Sequence, residues 1–245
     1  RKYDARSLFG KVINLLGVHA LGLGLGPYFR EIGIEPKVVV GHDYRSYSLS
    51  IQQSLTVGLM SAGCAVHDIG LALSPVAYFA QFALDAPAVA MVTASHNENG
   101  WTGVKMGANR PLTFGPDEMT RLKEIVLGGE AKAHAGGSYR RVEDMRETYL
   151  NAVTKGHRLS RPIRVVAACG NGTAGIFAPE ALRRIGADVA PMDAELNYNF
   201  PKYNPNPEDL HMLRAMGVAV HAEGAELALG FAGSVTAGVV SALGR

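Results

Sequence analysis

The sequence predicts an α/β protein with mixed, largely parallel sheets, helices on both faces and two consecutive, similar α/β domains. Two observations support this prediction. Short apolar runs typical of buried strands alternate with longer segments whose apolar residues recur at helical spacing. The same strand–loop–helix order begins again after an interruption at residues 156–162. Such alternation needs crossover connections, which place successive strands parallel in one sheet.

The first half of the chain accounts for one such domain. A helix is predicted from a candidate N-cap at Ser46 to a stop at Gly63, with one apolar face. Pro116 starts another helix, since proline suits a first helical turn. Residues 130–138 are rich in glycine and alanine and are interpreted as a loop. The remaining elements predicted there are strands at 37–40, 64–69 and 88–92 and helices at 75–82 and around 145–153.

The second half repeats the pattern, which places a domain boundary between residues 155 and 156. Strands are predicted at 163–168, 188–191 and 226–231, and helices at 178–185 and 208–220. Gly170, Gly172 and Gly175 follow a strand and precede a helix, which is the context of a dinucleotide-binding fingerprint. The alternative is that these glycines permit a tight turn and close packing.

Composition favours a cytoplasmic globular protein and argues against several partners. The hydrophobic fraction of 47% and the charged fraction of 19% are ordinary globular values. A formal net charge of +2 gives no basis for binding nucleic acid or a membrane surface. No signal peptide and no membrane-spanning apolar run are recognised. Cys64 and Cys169 lie in apolar contexts, so buried free thiols are expected rather than a disulfide or a metal site.

The most informative segment is Thr93-Ala94-Ser95-His96-Asn97, followed by Gly103-Val104-Lys105. A predicted buried strand leads into it, so Ser95 lies just past a strand end, where α/β proteins collect ligands and chemistry. A hydroxyl, an adjacent imidazole and a nearby ammonium are the parts needed to move a phosphoryl group. The ordinary alternative is a solvated turn or a helix-capping serine. A serine hydrolase is not indicated, because the Gly-x-Ser-x-Gly elbow is absent.

This segment resembles the phosphoserine loop of the α-D-phosphohexomutases, the phosphomannomutase/phosphoglucomutase group. Other segments resemble landmarks of that family in the same order: Tyr3-Asp4-Ala5-Arg6, Gly41-His42-Asp43-Tyr44-Arg45, Ser74-Pro75, Gly170–Gly175 and Asn204-Pro205-Asn206-Pro207-Glu208. The resemblance extends from Arg1 to about Phe231. It identifies the chain as the N-terminal portion of such a protein, with domain I at 1–155 and an incomplete domain II at 156–245.

The resemblance implies an isomerase that moves a phosphoryl group between C1 and C6 of a hexose phosphate through a bisphosphate intermediate. The implied catalytic residues are Ser95, Lys105, Arg6 and His96. Arg6, Lys105 and Arg45 are the implied phosphate-binding residues. For Arg45 an alternative stays open, namely an ion pair with Asp43 that braces the rim of the site. The segments give no preference between glucose and mannose.

The same resemblance implies Mg²⁺, which Ser95 would contact through its phosphoryl group. The family's Asp-Gly-Asp-Gly-Asp-Arg metal loop would follow the strand near Phe231, where this chain reads Ala232-Gly233-Ser234-Val235-Thr236-Ala237. No Asp or Glu follows Glu226, although Mg²⁺ takes oxygen ligands that include carboxylates. We therefore expect a sequence that is truncated or frame-shifted after about Phe231 and inactive as written. The alternatives are a non-catalytic remnant and an NAD-binding oxidoreductase domain built on the glycine loop.

Overall fold

The structure is a computed structural model that describes residues 5–110, 112–232 and 237–241. Strands and helices alternate along most of the chain. The strands are β1 (Ala5–Leu8), β2 (Lys37–His42), β3 (Ala65–Leu71), β4 (Ala88–Val92), β5 (Trp101–Gly107), β6 (Ser138–Arg141), β7 (Arg164–Ala168), β8 (Asp188–Met192), β9 (Leu227–Phe231) and β10 (Ala237–Ser241). The α-helices are α1 (Leu15–Glu31), α2 (Ser48–Ser61), α3 (Ser74–Ala83), α4 (Pro116–Leu127), α5 (Met145–Thr154), α6 (Ala178–Arg184) and α7 (Leu210–Ala222).

Contacts divide the chain into two compact units. The first unit comprises Arg1–Ala94 and Gly100–Met145, and the second comprises Ser95–Asn99 and Arg146–Arg245. The short segment 95–99, which follows β4, is therefore part of the second unit although the chain on both sides of it belongs to the first. This assignment matters for the site, because the segment contains Ser95.

The first unit contains a six-stranded sheet in the order β1-β5-β4-β2-β3-β6. Strands β2, β3, β4 and β6 pair in parallel, whereas β5 runs antiparallel to both β4 and β1. All five residues of β4 are buried, as expected for a strand covered on both faces. The prediction of a mixed, largely parallel sheet is confirmed.

Helix α1 is an element that the sequence analysis did not predict. Its sequence contains several glycines and Pro27, which normally argue against a helix interior. The structure gives the reason: a Cβ atom on Gly22 would lie 2.5 Å from the carbonyl oxygen of Leu55 in α2, and one on Gly26 would collide with Ala62. The glycines let the backbones of α1 and α2 approach closely, so packing outweighs the poor local helix propensity.

The second unit contains a four-stranded sheet in the order β10-β9-β7-β8. Strands β7, β8 and β9 are parallel, and β10 is antiparallel to β9. Methionines of α7 cover one face, with Met212 and Met216 fully buried in a cluster that includes Val166 and Ala228. Two similar α/β units in series were expected, and both are present.

Helix α5 packs within the second unit. Arg184 of α6 forms an ion pair with Glu147 and donates a hydrogen bond to Asn151 Oδ1, and the rings of Tyr149 and Phe177 meet edge to face. Contacts thus start the second unit at Arg146, whereas the sequence predicts a domain boundary between residues 155 and 156. That boundary stays a prediction, because contact grouping does not establish which segment folds alone.

Several local predictions are settled by the structure. The helix expected to start at a Ser46 cap begins instead at Ser48, and its N-cap position is Tyr47 with no capping side chain, so the Ser46 cap was wrong. The predicted loop 130–138 ends one residue early, because Ser138 opens β6. The Tyr3-Asp4 part of the first family landmark and residues 233–236 of the expected metal loop lie outside the described residues.

Candidate active site

Ser95 lies in a strained turn immediately after the central strand β4. Its backbone φ is +59°, in the left-handed region that a residue with a side chain seldom adopts. Its side chain is buried, with 6% of the residue's surface exposed. Such strained positions concentrate at functional sites, where the surrounding structure holds them in place.

A buried carboxylate in the first unit fixes the two residues that precede Ser95. Asp43 follows strand β2 and accepts hydrogen bonds from Thr93 Oγ1 at 2.9 Å and from the backbone N–H of Ala94 at 3.1 Å. It also accepts one from Ser48 Oγ at 2.5 Å. Only 2% of the surface of Asp43 is exposed, so its charge acts at low local dielectric, where hydrogen bonds are strong. The entry to the Ser95 turn is thus set by the neighbouring strand.

Arg45 lies beside this carboxylate. Its Nε atom is 3.4 Å from Asp43 Oδ2, and the two side chains are 2% and 3% exposed. This geometry favours the bracing ion pair that the sequence analysis left open for Arg45. A role for Arg45 in binding phosphate stays a prediction.

The residues that follow the 95–99 segment are fixed by an aromatic pair. The hydroxyl of Tyr47 accepts a hydrogen bond from the Gly100 N–H at 2.9 Å and donates one to the Trp101 carbonyl at 2.7 Å. The Gly100 carbonyl accepts a bond from the Phe9 N–H, and the rings of Phe9 and Tyr47 stack at 5.3 Å. The exit of the turn is therefore held as firmly as its entry.

Strand register places Arg6 and Lys105 on one face of the first sheet. Arg6 in β1 is the cross-strand partner of Gly103 in β5, and Lys105 lies two residues further along β5. Partners across strands and residues two apart share a face. Gly103 also accepts a hydrogen bond from the N–H of Thr93, so Arg6 lies level with the start of the Ser95 turn.

Lys105 points toward helix α3. Its Nζ atom is 3.1 Å from the hydroxyl oxygen of Ser74, the first residue of that helix. Lys105 is half-buried. His96, by contrast, is exposed, and its backbone carbonyl accepts a 2.5 Å hydrogen bond from Asn204 Nδ2 within the second unit.

The glycine loop of the second unit is filled by protein, so the structure does not support the dinucleotide hypothesis. Asn171 donates from its backbone to Asp193 and from its side chain to Glu195, and its carbonyl accepts from Asn197. A Cβ atom on Gly170 would lie 2.9 Å from Pro205, and one on Gly175 would collide with the carbonyl of Ala194. Close packing was the alternative explanation for these glycines, and it is the one that the structure supports.

The helical segment after this loop is also unsuited to a pyrophosphate. It consists of a short 3₁₀ turn at Thr173–Ile176 and a seven-residue helix, α6. The strand-end acid Asp193 is occupied, since it accepts hydrogen bonds from Lys202 Nζ and the Tyr203 hydroxyl, each at 2.5 Å. Burial and this contact with Asp193 raise the pKa of Tyr203 above its ordinary value, so the phenol stays protonated and keeps donating.

The described part of the chain contains neither a cluster of metal-ligating side chains nor a membrane-spanning helix. Among the residues that the structure describes, no group of three or more His, Cys, Asp or Glu side chains could hold a metal ion. The described residues therefore supply no such set of ligands for the Mg²⁺ that the family resemblance implies. No helix within the described ranges is long and apolar enough to cross a membrane. Both cysteines are buried free thiols, as expected, and burial raises the pKa of Cys64 to about 11 and that of Cys169 to about 12.

Comparison with known proteins decides the family. The family model for phosphoglucomutase/phosphomannomutase, alpha/beta/alpha domain I, matches residues 1–133. The model for domain II of the same proteins matches residues 147–236. The chain belongs to the phosphoglucomutase/phosphomannomutase family. The resemblance found in the sequence is thereby confirmed, and these mutases are isomerases.

Individual family members agree with this assignment. A phosphomannomutase/phosphoglucomutase from Pseudomonas aeruginosa is 31% identical over 233 residues, which are 95% of this chain and 50% of that protein. One from Pseudomonas putida is 32% identical over 239 residues, again 95% and 50%. A solved phosphoglucomutase/phosphomannomutase family protein from Burkholderia thailandensis matches with a TM-score of 0.93 at 28% identity, covering 100% of this chain and 55% of that one. The chain thus spans about half the length of the curated relatives it matches.

Two residues of this mutase-family chain have structural roles that the sequence analysis did not assign. Asp43 was noted as part of a landmark and as a candidate partner of Arg45, yet its contacts extend to Ser48, Thr93 and Ala94 as well. Asn204 was noted only as part of a landmark, and its side chain contacts the Ser95 segment. The position of Asp43 just past a strand end could have predicted its role beside the turn. The contact of Asn204 could not be predicted in this way, because it depends on the tertiary fold.

Proposed function

We propose that this chain provides the phosphoserine part of an α-D-phosphohexomutase, with Ser95 as the residue that carries the phosphoryl group. The observation that supports this most is the Ser95 turn itself: a buried hydroxyl in left-handed backbone, after a central strand, with its preceding residues fixed by a buried carboxylate. Preorganisation of this kind lowers the entropic cost of aligning a nucleophile with its target.

The proposed reaction is a reversible phosphoryl transfer between Ser95 and a hexose phosphate. A free sugar hydroxyl attacks the phosphorus on Ser95, the bond from phosphorus to Ser95 Oγ breaks, and a hexose bisphosphate forms. Ser95 then takes back the other phosphoryl group after the sugar reorients, so that the net change moves phosphate between C1 and C6. The chain would accordingly be an intramolecular phosphotransferase, and the names of its relatives favour an enzyme over a non-catalytic remnant.

Positive groups and a proton acceptor complete the proposal. Catalysis of phosphoryl transfer is mostly positioning and neutralisation of charge on the transferring oxygens. Arg6 and Lys105, which share a face of the first sheet, would bind those oxygens, and Arg45 would contribute charge from beneath the turn. When its amine is neutral, Lys105 would also take the proton of the attacking hydroxyl and return it to the leaving oxygen. His96 would contact the phosphoryl group from the exposed side of the turn.

Mg²⁺ is the cofactor implied by the family, but we assign no step to it in this chain. Family carboxylates expected after β9 are replaced by residues without carboxylates, and no Asp or Glu follows Glu226. Without such ligands the serine oxygen is a poor leaving group, so we propose that the chain as written has negligible turnover. Its partner would be a hexose phosphate, not nucleic acid or a membrane. Two buried free thiols fit a reducing compartment, which supports a cytoplasmic location.

A hybrid protein tests this function. Residues 1–231 would be joined to the part of the Pseudomonas aeruginosa relative that follows the matching strand, and mutase activity measured with glucose 1-phosphate and mannose 1-phosphate, a hexose bisphosphate and Mg²⁺. We expect the chain alone to be inactive and the hybrid to be active. Ser95→Ala in the hybrid should lower kcat by about 10³-fold or more, as for other nucleophile deletions.

The matched control is Ser160→Ala, which removes an exposed hydroxyl and should leave the hybrid's activity unchanged. Robust turnover by the chain alone would refute the proposed inactivity. A hybrid that keeps full activity with Ser95→Ala would remove Ser95 from the chemistry.

A further inference from the structure

Two asparagine side chains hold the Ser95 segment inside the second unit. Asn204 Nδ2 donates to the carbonyl of His96 at 2.5 Å, and Asn99 Nδ2 donates to the carbonyl of Tyr198 at 2.7 Å. The first bond reaches the residue directly after Ser95 and the second reaches the end of the segment. Both partners outside the segment belong to one stretch of chain, residues 193–209, between β8 and α7.

This stretch is itself rigidly anchored. Its start is fixed at Asp193, which accepts from Lys202 and Tyr203, and Asn171 of the glycine loop bonds to three of its backbone groups. Asn204 precedes Pro205, which restricts Asn204 to extended backbone. Pro205 is buried, and a Cβ atom on Gly170 would collide with it. The glycine loop therefore packs directly against Pro205, the residue that follows Asn204.

The carbonyl that Asn204 contacts belongs to the peptide that leaves the strained Ser95 turn. Rotation of the peptide between Thr93 and Ala94 is limited by the Asp43 bonds in the first unit. The His96 carbonyl is held by Asn204, so that bond limits the backbone that follows Ser95. Asn204 Oδ1 is buried and has no hydrogen-bond partner among the described residues, which indicates that the carboxamide is oriented by its Nδ2 bond.

We infer that Asn204 is a positioning residue for Ser95: it holds the His96 carbonyl and so keeps the proposed nucleophile in its left-handed conformation. This inference rests on the proposed function for its consequence in catalysis, but not for the contact itself. It also gives the Asn204-Pro205-Asn206-Pro207 landmark a role, which is to carry one side-chain amide to the Ser95 segment.

Selective isotope labelling of the full chain tests the contact directly. The chain contains eight histidines, and only His96 precedes an asparagine. Labelling histidine with carbonyl ¹³C and asparagine with ¹⁵N therefore gives one correlation, between the His96 carbonyl and the Asn97 N–H. Asn204→Leu, which removes the donor at similar volume, should shift that carbonyl signal upfield. Asn204→Asp should do the same at neutral pH and recover toward the wild-type position as the new carboxyl is protonated and can donate again.

Asn199→Asp is the matched control, since it makes the same change at an exposed residue of the same stretch. Amide hydrogen exchange across residues 93–101 should quicken about fivefold in both Asn204 variants, the value for one lost hydrogen bond of about 1 kcal/mol, and not in the control. An unmoved His96 signal and unchanged exchange in both Asn204 variants would overturn the inference, as would an equal effect in Asn199→Asp.

The Asn204 variants placed in the hybrid protein separate this inference from the proposed function. Incubation of the hybrid with glucose 1,6-bisphosphate and Mg²⁺ gives the rate at which Ser95 gains a phosphoryl group, read as a mass increase on its peptide. We expect that rate to fall about fivefold to tenfold in the Asn204 variants, with the midpoint of thermal unfolding lowered by only about 2–4 °C. If wild-type Ser95 gains no phosphoryl group, the proposed function fails, and the carbonyl signal and the exchange rates still decide the role of Asn204.

Discussion

The turn after β4 and the turn after β7 are built alike and filled differently. Each follows a buried strand that lies between two others in its sheet, and each contains one non-glycine residue with positive φ, Ser95 at +59° and Asn171 at +60°. An aspartate just past the parallel neighbouring strand also contacts each turn: the Asp43 carboxylate accepts from the Ala94 N–H, and the Asp193 backbone carbonyl accepts from the Asn171 N–H. The backbone design is therefore shared by the two units.

The two turns differ in the groups that surround them. Around Asn171 the protein itself fills the space above the turn, with Pro205 against Gly170 and Ala194 against Gly175, and the Asn171 groups all bond to the chain between β8 and α7. Before Ser95, the Asp43 carboxylate holds Thr93 and Ala94, and within the first sheet two cationic side chains, Arg6 and Lys105, share one face. The comparison teaches that a glycine-rich strand-end turn indicates a binding site only when packing leaves room for one.

The largest predicted effect is a difference in stability loss between substitutions of Asp43 and of Asp193. Asp43→Asn removes a buried charge next to the buried guanidinium of Arg45, and breaking such a pair costs about 3–5 kcal/mol. Asp193→Asn removes a carboxylate whose partner Lys202 is 63% exposed, so we expect a loss of about 1–2 kcal/mol, close to that of a hydrogen bond to a charged group. Urea unfolding of both variants measures the two losses, and equal losses would show that the two carboxylates stabilise the fold to the same degree.

A glycine substitution tests whether the second turn is closed by packing. Gly175→Ala would place a methyl group against the Ala194 carbonyl, and overpacking of this kind costs about 1–3 kcal/mol. Gly217→Ala is the matched control in α7, where a Cβ atom would meet nothing within 4 Å. It should stabilise the protein by about 0.5–1 kcal/mol, because alanine favours a helix. A neutral Gly175→Ala would indicate free space above the turn and reopen the ligand hypothesis there.

The smallest predicted effect is a pH dependence confined to the first unit. Burial, followed by the charges of Lys37 and Arg140, lowers the pKa of His67 in β3 below its ordinary 6.5. The unfolded chain therefore binds a proton more readily than the folded one, so stability should fall as pH drops below about 6.5. His67→Gln should flatten that part of the curve in thermal unfolding between pH 5 and 7. A slope that persists unchanged in His67→Gln would assign it to other groups.

The sequence predicted the turns better than it predicted their surroundings. Apolar runs identified β4 and β7, and the polar residues after β2 suggested an ion pair between Asp43 and Arg45 as one of two alternatives. Helix α1 was missed because its glycines argue locally against a helix, and their benefit appears only when α2 lies against them. The bond from Asn204 to His96 joins residues 108 positions apart, and no local pattern encodes which of several asparagines reaches that carbonyl.

Mass spectrometry of the hybrid protein is the most direct test of the claim that the first turn serves chemistry and the second serves packing. The hybrid would be incubated with glucose 1,6-bisphosphate, digested and fragmented to locate any added phosphoryl group. We predict one phosphoryl group, on Ser95, that is lost in Ser95→Ala and retained in Asn171→Asp. An active hybrid whose Ser95 stays unmodified, or whose phosphoryl group lies on another residue, would contradict the account.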